Sequence, residues 1–421
     1  MGAEIGHAAQ RVEAPWVKLA PSGDVYLWTA QPLYTPQQIA AFNKVYPNVK
    51  VHQQSTQYVP KTPSLATHLI TGINVPDAVF HMEDAYLGRF APALYDVGEY
   101  IAPYAAKIAP FKLAVCKQGG KTVAIPDDLT PAFLIYNKDI VARTGLDVSK
   151  IVTYDNLIAA AQTVQKKVPT CTTPLFFLDG PDFLTFTVEG MAWQQHAGHV
   201  DANGKLNLKA KAYANAFAYL EKVSKAGVGH MEVWGTPSMY NVWNKGQVAF
   251  MHFADWFTHW HETGLKPLWG KIGLARQPVF NPATDSPYSM MGGSAWVVPA
   301  KAKRPDLGAI LGTFMMLDPR GLKAAGNALA WEAILPASSS DWDFTNLTRP
   351  IIAKSVNEHN LLVQACKGAP STYKYAPWYA DVFPYYGGAA VRQVLAGQLS
   401  AADGQAAAYN AVQTNVVARA R

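Results

Sequence analysis

The sequence is poor in charged residues. Only 16% of its 421 residues are Asp, Glu, Lys or Arg, whereas an average globular protein has about 25%. The formal charge of +6 is small for this length, and Lys and Arg never form a run. Without a basic stripe, the chain is not expected to bind nucleic acid.

Cysteines and long apolar runs are also scarce. The cysteines are Cys116, Cys171 and Cys366, and the absence of a CxxC pair excludes zinc knuckles and thiol redox motifs. Three buried free thiols, or one disulfide with a leftover thiol, would both fit. No apolar stretch approaches the roughly 18 residues of a membrane span.

Motifs of enzymes and metal sites are missing as well. No GxSxG, P-loop or GxGxxG occurs, and His261-Glu262 does not continue as HExxH. His252 and His259 would share one face of a helix, but His261 would not. We therefore predict no metal and no cofactor.

The order of strands and helices predicts an α/β fold. Nearly half of the residues are hydrophobic (49%), and the length suggests two or three domains. Helices between strands imply βαβ units and a mostly parallel sheet. In the N-terminal part, the predicted strands are Asp24–Thr29, Val49–Gln53 and Asp77–His81, and the predicted helices are Thr35–Val45 and Lys61–Thr71.

A second group of elements follows, and it predicts a second α/β lobe with the chain crossing between the lobes more than once. From about Tyr379 the chain is Ala-rich and predicted to be helical. The predicted strands are Thr122–Ile125, Ala132–Tyr136, Gln247–His252, Ile272–Gln277 and Ser294–Val298, and the helices are Thr153–Val164 with Thr153 as its cap, Tyr213–Lys225 and Asp306–Leu317.

Seven short motifs follow one another along most of the chain. They are FNKVYPNVKV at Phe42–Val51, GINVPDAVF at Gly72–Phe80, LIYNKD at Leu134–Asp139, TYDNL at Thr153–Leu157, NKGQVAFM at Asn244–Met251 followed by Trp256, Gly292-Gly293, and Lys301–Pro305. This order resembles the bacterial extracellular solute-binding proteins of carbohydrate ABC importers, the family that includes maltose-binding protein.

The resemblance implies a two-lobed periplasmic-binding-protein fold, with a ligand cleft between two mainly parallel sheets flanked by helices. Residues 24–125 and 287–330 would form lobe 1, and residues 126–286 and 331–421 would form lobe 2. Crossings are expected near Ile125-Pro126, near Pro282–Pro287 and after Leu329. Such proteins close on a ligand that contacts both lobes.

The implied function is binding without catalysis. A monomer outside the cytoplasm, in the periplasm or lipid-anchored at the cell surface, would bind a mono- or oligosaccharide and deliver it to the membrane permease subunits of an ABC importer. Met1–Lys18 lacks the apolar core of a signal peptide. Either the protein has no signal peptide, or the peptide has been removed from this sequence.

A sugar ring has an apolar face and a rim of hydroxyls, so its site needs flat aromatic rings and short polar side chains. The chain has 12 Trp and 20 Tyr. The aromatic candidates are Trp234, Trp256, Trp331 and Trp378, each with simple packing as the alternative, whereas Trp243, Trp260 and Trp269 are interpreted as packing residues.

The polar candidates follow strands, because ligands of parallel sheets lie at the carboxyl ends. His81, Glu83 and Asp84 lie at the end of the third predicted strand or just after it, although an acid there could simply favour a helix N-terminus. The family's binding acid before LIYNKD is replaced by Thr130, which implies a ligand held differently from maltodextrins. Further candidates are Gln31, Gln54, Asp182, and Gly292 and Gly293, whose backbone could approach a ligand.

Other ligand classes remain open. A phosphate would need converging arginines, whereas Arg89, Arg143 and Arg276 are scattered. Glu83, Asp84 and Asp182 with Trp256 would also suit a polyamine. A secreted glycoside hydrolase would need two carboxylates across a cleft, which the same acids or Glu332 could supply.

Overall fold

Strands and helices alternate along most of the chain. The computed structural model describes residues 20–29, 35–56, 63–325, 348–370 and 375–420. In these ranges the strands are β1 (Gly23–Thr29), β2 (Val49–Ser55), β3 (Ala78–Glu83), β4 (Lys117–Gln118), β5 (Lys121–Thr122), β6 (Ala124–Pro126), β7 (Ala132–Asn137), β8 (Leu175–Asp179), β9 (Gly229–Val233), β10 (Phe250–Ala254), β11 (Ile272–Ala275) and β12 (Ser294–Val297).

The helices lie between these strands and after them. Within the same ranges they are α1 (Thr35–Val45), α2 (Pro63–Thr71), α3 (Asp84–Phe90), α4 (Gly98–Ile101), α5 (Pro110–Val115), α6 (Lys138–Thr144), α7 (Tyr154–Lys167), α8 (Pro181–Gln194), α9 (Lys211–Ala226), α10 (Pro237–Asn244), α11 (Trp256–Trp260), α12 (Pro305–Met316), α13 (Pro319–Ala325), α14 (Glu358–Gly368), α15 (Arg392–Leu395) and α16 (Ala401–Val412). None of these described helices is long and apolar enough to cross a membrane.

The sheet of lobe 1 has the order β2-β1-β3-β12-β6 among the described strands. β1, β2 and β3 run parallel, and β12 is antiparallel to both of its neighbours. The apolar run Ala78–Phe80 is fully buried, as expected for a strand covered on both faces. On one face, Phe42 of α1 meets Phe314 of α12 with ring centroids 5.4 Å apart.

The sheet of lobe 2 has the order β11-β7-β10-β8-β9 among the described strands. β8, β9 and β10 run parallel, whereas β7 is antiparallel to β10 and to β11. Every residue of β10 is buried. Helices α8 and α9 pack near this sheet, and α16 packs on α9. The predicted two-lobed α/β fold is confirmed.

Two adjacent segments of the chain, at 127–131 and 288–293, connect the lobes, and we call them the crossings. The amide of Ala132 donates to the carbonyl of Ser289 (2.9 Å), and the amide of Met291 donates to the carbonyl of Thr130 (2.9 Å). The segment Pro282–Pro287, near which we expected the second crossing, lies against lobe 2 just before the crossing at 288–293, since the amide of Ser286 donates to the carbonyl of Gln194 (2.9 Å). The crossing expected after Leu329 lies outside the described residues.

The local structure agrees with the sequence at Thr153 and departs from it at Asp182 and Trp234. Thr153 caps α7, and it forms a capping box with Asn156. Asp182, which was predicted in a loop, lies in the first turn of α8. The residues LFFLD before it form the strand β8, which the sequence did not predict. The loop predicted around Trp234 is partly strand, since β9 ends at Val233.

Cys366 and Trp269 are more exposed than the sequence led us to expect. All three cysteines are free, and Cys116 and Cys171 are buried, whereas Cys366 is only partly buried. Trp243 packs in the core at 1% exposure, as expected. Trp269, in contrast, is 43% exposed, and its indole nitrogen donates to the carbonyl of Glu262 (2.8 Å).

Candidate ligand-binding cleft

Each sheet presents one edge where its parallel strands end, and the two edges meet beside the crossings. In lobe 1 this edge holds the end of β3 and the start of β12, and in lobe 2 it holds the ends of β8, β9 and β10. His81 of lobe 1 and Trp260 of lobe 2 have ring centroids 5.9 Å apart. The lobes are therefore in contact along the cleft, and Trp260 is more than the packing residue we expected.

Aromatic rings cluster at the edge of lobe 2. Trp234 directly follows β9, and Trp256 follows β10 and opens α11. Their ring centroids are 5.2 Å apart, and the ring of Phe183 lies 5.1 Å from Trp234 and 6.0 Å from Trp256. Both tryptophans are only partly buried. We call Phe183, Trp234 and Trp256 the aromatic cluster, and it offers flat apolar surface at the cleft.

A neutral histidine packs against the aromatic cluster. His261 lies 4.1 Å from Trp234 between ring centroids, and its Nδ1 bonds to the hydroxyl of Tyr240 (2.9 Å). Burial lowers the pKa of His261 to about 4, so this imidazole is neutral near pH 7. The indole nitrogen of Trp256 donates to the carbonyl of Met291 (3.0 Å), which ties the cluster to the second crossing.

His81 and Glu83, at the end of β3, present polar groups to the cleft from lobe 1, and we call this pair the polar turn. His81 has a φ of +70°, and opposite it the register of β12 shifts between Ala295 and Val297. A bulge of this kind re-aims a side chain. The imidazole Nδ1 lies 3.1 Å from a carboxylate oxygen of Asp127 and 3.1 Å from the hydroxyl of Ser294. His81 thus joins the start of the first crossing to the residue that directly follows the second.

The charges around His81 favour its protonated form. Burial lowers the pKa of His81, but its hydrogen bond to Asp127 and the charges of Asp127, Asp128 and Glu83 outweigh that cost and raise the pKa overall. Glu83, the last residue of β3 and the other member of the polar turn, is partly buried.

Asp84 is held by a lysine that the sequence did not single out. The ammonium of Lys112 donates to both carboxylate oxygens of Asp84 (2.8 and 2.6 Å) and to the carbonyl of Ser294 (2.6 Å). Asp84 and Lys112 are 4% and 1% exposed. Burial raises the pKa of Asp84 to about 6 although Lys112 opposes this, and the neighbouring carboxylates hold the pKa of Lys112 above its ordinary value.

The two glycines leave room for these groups. Gly292 and Gly293 have φ of +88° and +117°, values that favour glycine. A Cβ on Gly293 would lie 2.5 Å from a carboxylate oxygen of Asp84. The hydroxyl of Tyr375 donates to the carbonyl of Gly292 (3.2 Å), and Thr130, which is 3% exposed, lies on the neighbouring crossing.

The other predicted residues are more scattered. Asp182 is 5% exposed. Burial and the charges of Glu83 and Asp182 raise the pKa of Tyr86, so Asp182 of lobe 2 acts on a tyrosine of lobe 1. Gln54 is exposed near the end of β2. Trp378 is partly buried and stands edge-on to His199, with centroids 5.7 Å apart. Gln31 and Trp331 lie outside the described residues.

Lys112 and Tyr375 are the residues that sequence reasoning missed. No motif distinguishes a buried lysine from a surface one, and Tyr375 and His199 come together from distant parts of the chain. In the described part of the chain, no group of three His, Cys, Asp or Glu side chains is placed to hold a metal ion.

A comparison with protein families decides what kind of protein this is. Residues 28–315, more than half of the chain, match the model described as "Bacterial extracellular solute-binding protein". The chain belongs to this family. Among curated relatives, this solute-binding protein is 25% identical over 334 residues to the arabinooligosaccharide-binding protein of Bacillus subtilis (strain 168), with 74% of each chain covered.

Solved structures agree on the fold. The ABC transporter associated binding protein from B. animalis subsp. lactis Bl-04, in complex with β-1,6-galactobiose, superimposes with a TM-score of 0.76 at 18% identity, covering 93% of this chain and 97% of that one. The galacto-N-biose-/lacto-N-biose I-binding protein of Bifidobacterium longum, in complex with lacto-N-biose, gives 0.72 at 20% identity, with 93% and 97% covered.

Proposed function

We propose that this solute-binding protein binds a small carbohydrate, a mono- or oligosaccharide, between its lobes. The observation that carries the proposal is that the aromatic cluster of lobe 2 and the polar turn of lobe 1 lie at the two sheet edges that meet where the rings of His81 and Trp260 are 5.9 Å apart. Rings can stack on the C–H face of a sugar, while imidazole and carboxylate groups bind its hydroxyls. Trp256 and Trp234 would supply the faces, and His81 and Glu83 would supply the hydrogen bonds.

The relatives support a sugar as the ligand class. Their names or complexes include an arabinooligosaccharide-binding protein and proteins bound to β-1,6-galactobiose and lacto-N-biose. Because these relatives are at most 25% identical to the chain, the identity of the sugar has to be measured.

We further propose that the protein works as a monomer outside the cytoplasm and delivers its ligand unchanged to the permease subunits of an ABC importer. The family description, extracellular solute binding, supports the location and the transport role. Burial argues against a hydrolase, because Asp84 and Asp182 are at most 5% exposed and Asp84 is already paired with Lys112.

A thermal-shift panel tests the proposal. The panel contains arabinotriose, β-1,6-galactobiose, lacto-N-biose, spermidine and glycerol 3-phosphate, because a ligand that binds only the folded state raises the unfolding midpoint by mass action. We expect at least one sugar, and neither of the other two compounds, to raise it. Chromatography after prolonged incubation should recover the sugar intact. A shift with spermidine or glycerol 3-phosphate alone, or hydrolysis products, would contradict the proposal.

A further inference from the structure

Helix α3 of lobe 1 contains a glycine, Gly88, inside its helical span. Glycine disfavours the helix relative to alanine, so its presence needs a reason. A Cβ built on Gly88 would lie 2.5 Å from the Cα and 3.2 Å from the backbone nitrogen of Pro377. Pro377 belongs to a C-terminal segment that packs with lobe 2. At this point the backbones of the two lobes approach so closely that no side chain fits between them.

Two further pairs join the same elements. The guanidinium of Arg89 contacts the carboxylate of Asp381. The ring of Tyr86 stands edge-on to that of Phe383, with centroids 6.4 Å apart. We call the packing of Gly88 and its neighbours in α3 against residues 375–383 the closure contact. It is distinct from the aromatic cluster, so a substitution in it need not touch the ligand.

Segment 375–383 is held firmly from the lobe 2 side. The buried Nε2 of His199 accepts a hydrogen bond from the amide of Ala376 (3.0 Å), and the imidazole stacks on Tyr379 with centroids 4.2 Å apart. The ring of Phe383 meets Phe186 of α8 edge-on at 5.5 Å. Because the segment is anchored on lobe 2, a clash at Gly88 would push the lobes apart more easily than it would move the segment.

We infer that the closure contact forms only when the lobes close, and that Gly88 is a positioning residue that sets ligand affinity through it. The inference rests on the proposed function, in which a ligand is clamped between the lobes. A ligand that needs the closed state binds more weakly in proportion to any loss of that state's population. A side chain at position 88 would therefore weaken binding from outside the ligand site.

Crosslinking tests the inference without any ligand. Arg89→Cys and Asp381→Cys, combined with Cys366→Ser, place one thiol on each side of the closure contact, while Cys116 and Cys171 are buried. A short bismaleimide joins the two thiols only when the lobes close. We expect the further substitution Gly88→Ala to slow crosslinking at least about tenfold. An unchanged rate would overturn the inference.

Calorimetry with arabinotriose as the probe provides the second measurement. Gly88→Ala should weaken binding about tenfold, whereas Glu99→Ala, a control at an exposed position of α4 in lobe 1 outside the closure contact, should change it less than about twofold. The ligand-free Gly88→Ala protein should unfold at the wild-type temperature or above, since alanine favours the helix.

The two measurements separate the possible failures. If arabinotriose does not bind the wild type, the result counts against a sugar of this type, and the crosslinking rates decide the closure contact by themselves. If arabinotriose binds the Gly88→Ala and wild-type proteins equally, the closure contact does not set affinity and the inference is wrong.

Discussion

Lys112 is a buried ammonium whose hydrogen bonds go to Asp84 and to the carbonyl of Ser294, where β12 begins. Removing one partner of a buried ion pair leaves an uncompensated charge. We expect Lys112→Met to lower the free energy of unfolding by about 3–5 kcal/mol, as measured by urea denaturation followed by circular dichroism.

The matched control for that substitution is Lys222→Met. Lys222 pairs with Asp155, but the two side chains are 57% and 72% exposed, so the loss should stay below about 1 kcal/mol. Equal losses in the two variants would show that the charged groups around Ser294 do not stabilise the crossing.

His252 gives a prediction for the dependence of stability on pH. Burial lowers its pKa from 6.5 to about 4, although its hydrogen bond to Gln277 opposes this. Between these two pH values the unfolded chain binds a proton that the folded protein does not. Stability therefore falls as the pH falls through this window, by up to about 1.4 kcal/mol per pH unit for one such group.

His252→Gln should reduce that slope, because glutamine does not titrate. The free energy of unfolding, measured by urea denaturation from neutral pH down to about pH 4, should decline less steeply in the variant than in the wild type. It will still decline, since burial also lowers the pKa values of His259 and His261, to about 2 and about 4. Identical slopes would mean that His252 is not a buried neutral imidazole.

At the scale of elements, the sequence predicted regular strands and helices well. The helix predicted at Thr35–Val45 has those bounds in the structure, and the predicted cap Thr153 forms its hydrogen bonds. Hydrophobic period and capping are local properties, so they can be read from neighbouring residues. The strand β8 was missed because LFFLD is a short apolar run bounded by proline and glycine, which periodicity alone does not assign.

The candidate site was less predictable than the elements. Trp234 and Trp256, which were singled out as aromatic rings, lie at the edge of lobe 2 that meets the cleft. The rule that ligands lie at the carboxyl ends of strands pointed to His81 and Glu83, which lie at the end of β3 on the matching edge of lobe 1. It could not show that Asp84 is paired with Lys112, because that contact joins α3 to α5 through the fold. The bulge at His81 was also hidden, since it depends on the register of β12, a strand far along the chain.

At the scale of the whole molecule, the proposed function requires two lobes that close on a ligand. The adjacent crossings at 127–131 and 288–293 are the connections along which the lobes could rotate, and Gly292 and Gly293 sit in the second one. The aromatic cluster lies at the edge of lobe 2 and the polar turn lies at the edge of lobe 1. Binding should therefore require side chains from both lobes, and the loss of one large ring should weaken it strongly.

Calorimetric titration with the sugar that gives the largest thermal shift tests this claim most directly. The wild type is compared with Trp256→Ala and with Trp269→Ala, a control that removes a 43% exposed tryptophan outside the aromatic cluster. Trp256→Ala should cost about 2 kcal/mol, or roughly thirtyfold in Kd, while Trp269→Ala should bind as the wild type does. A wild type that binds no sugar, or a Trp256→Ala variant with unchanged Kd, would contradict the account.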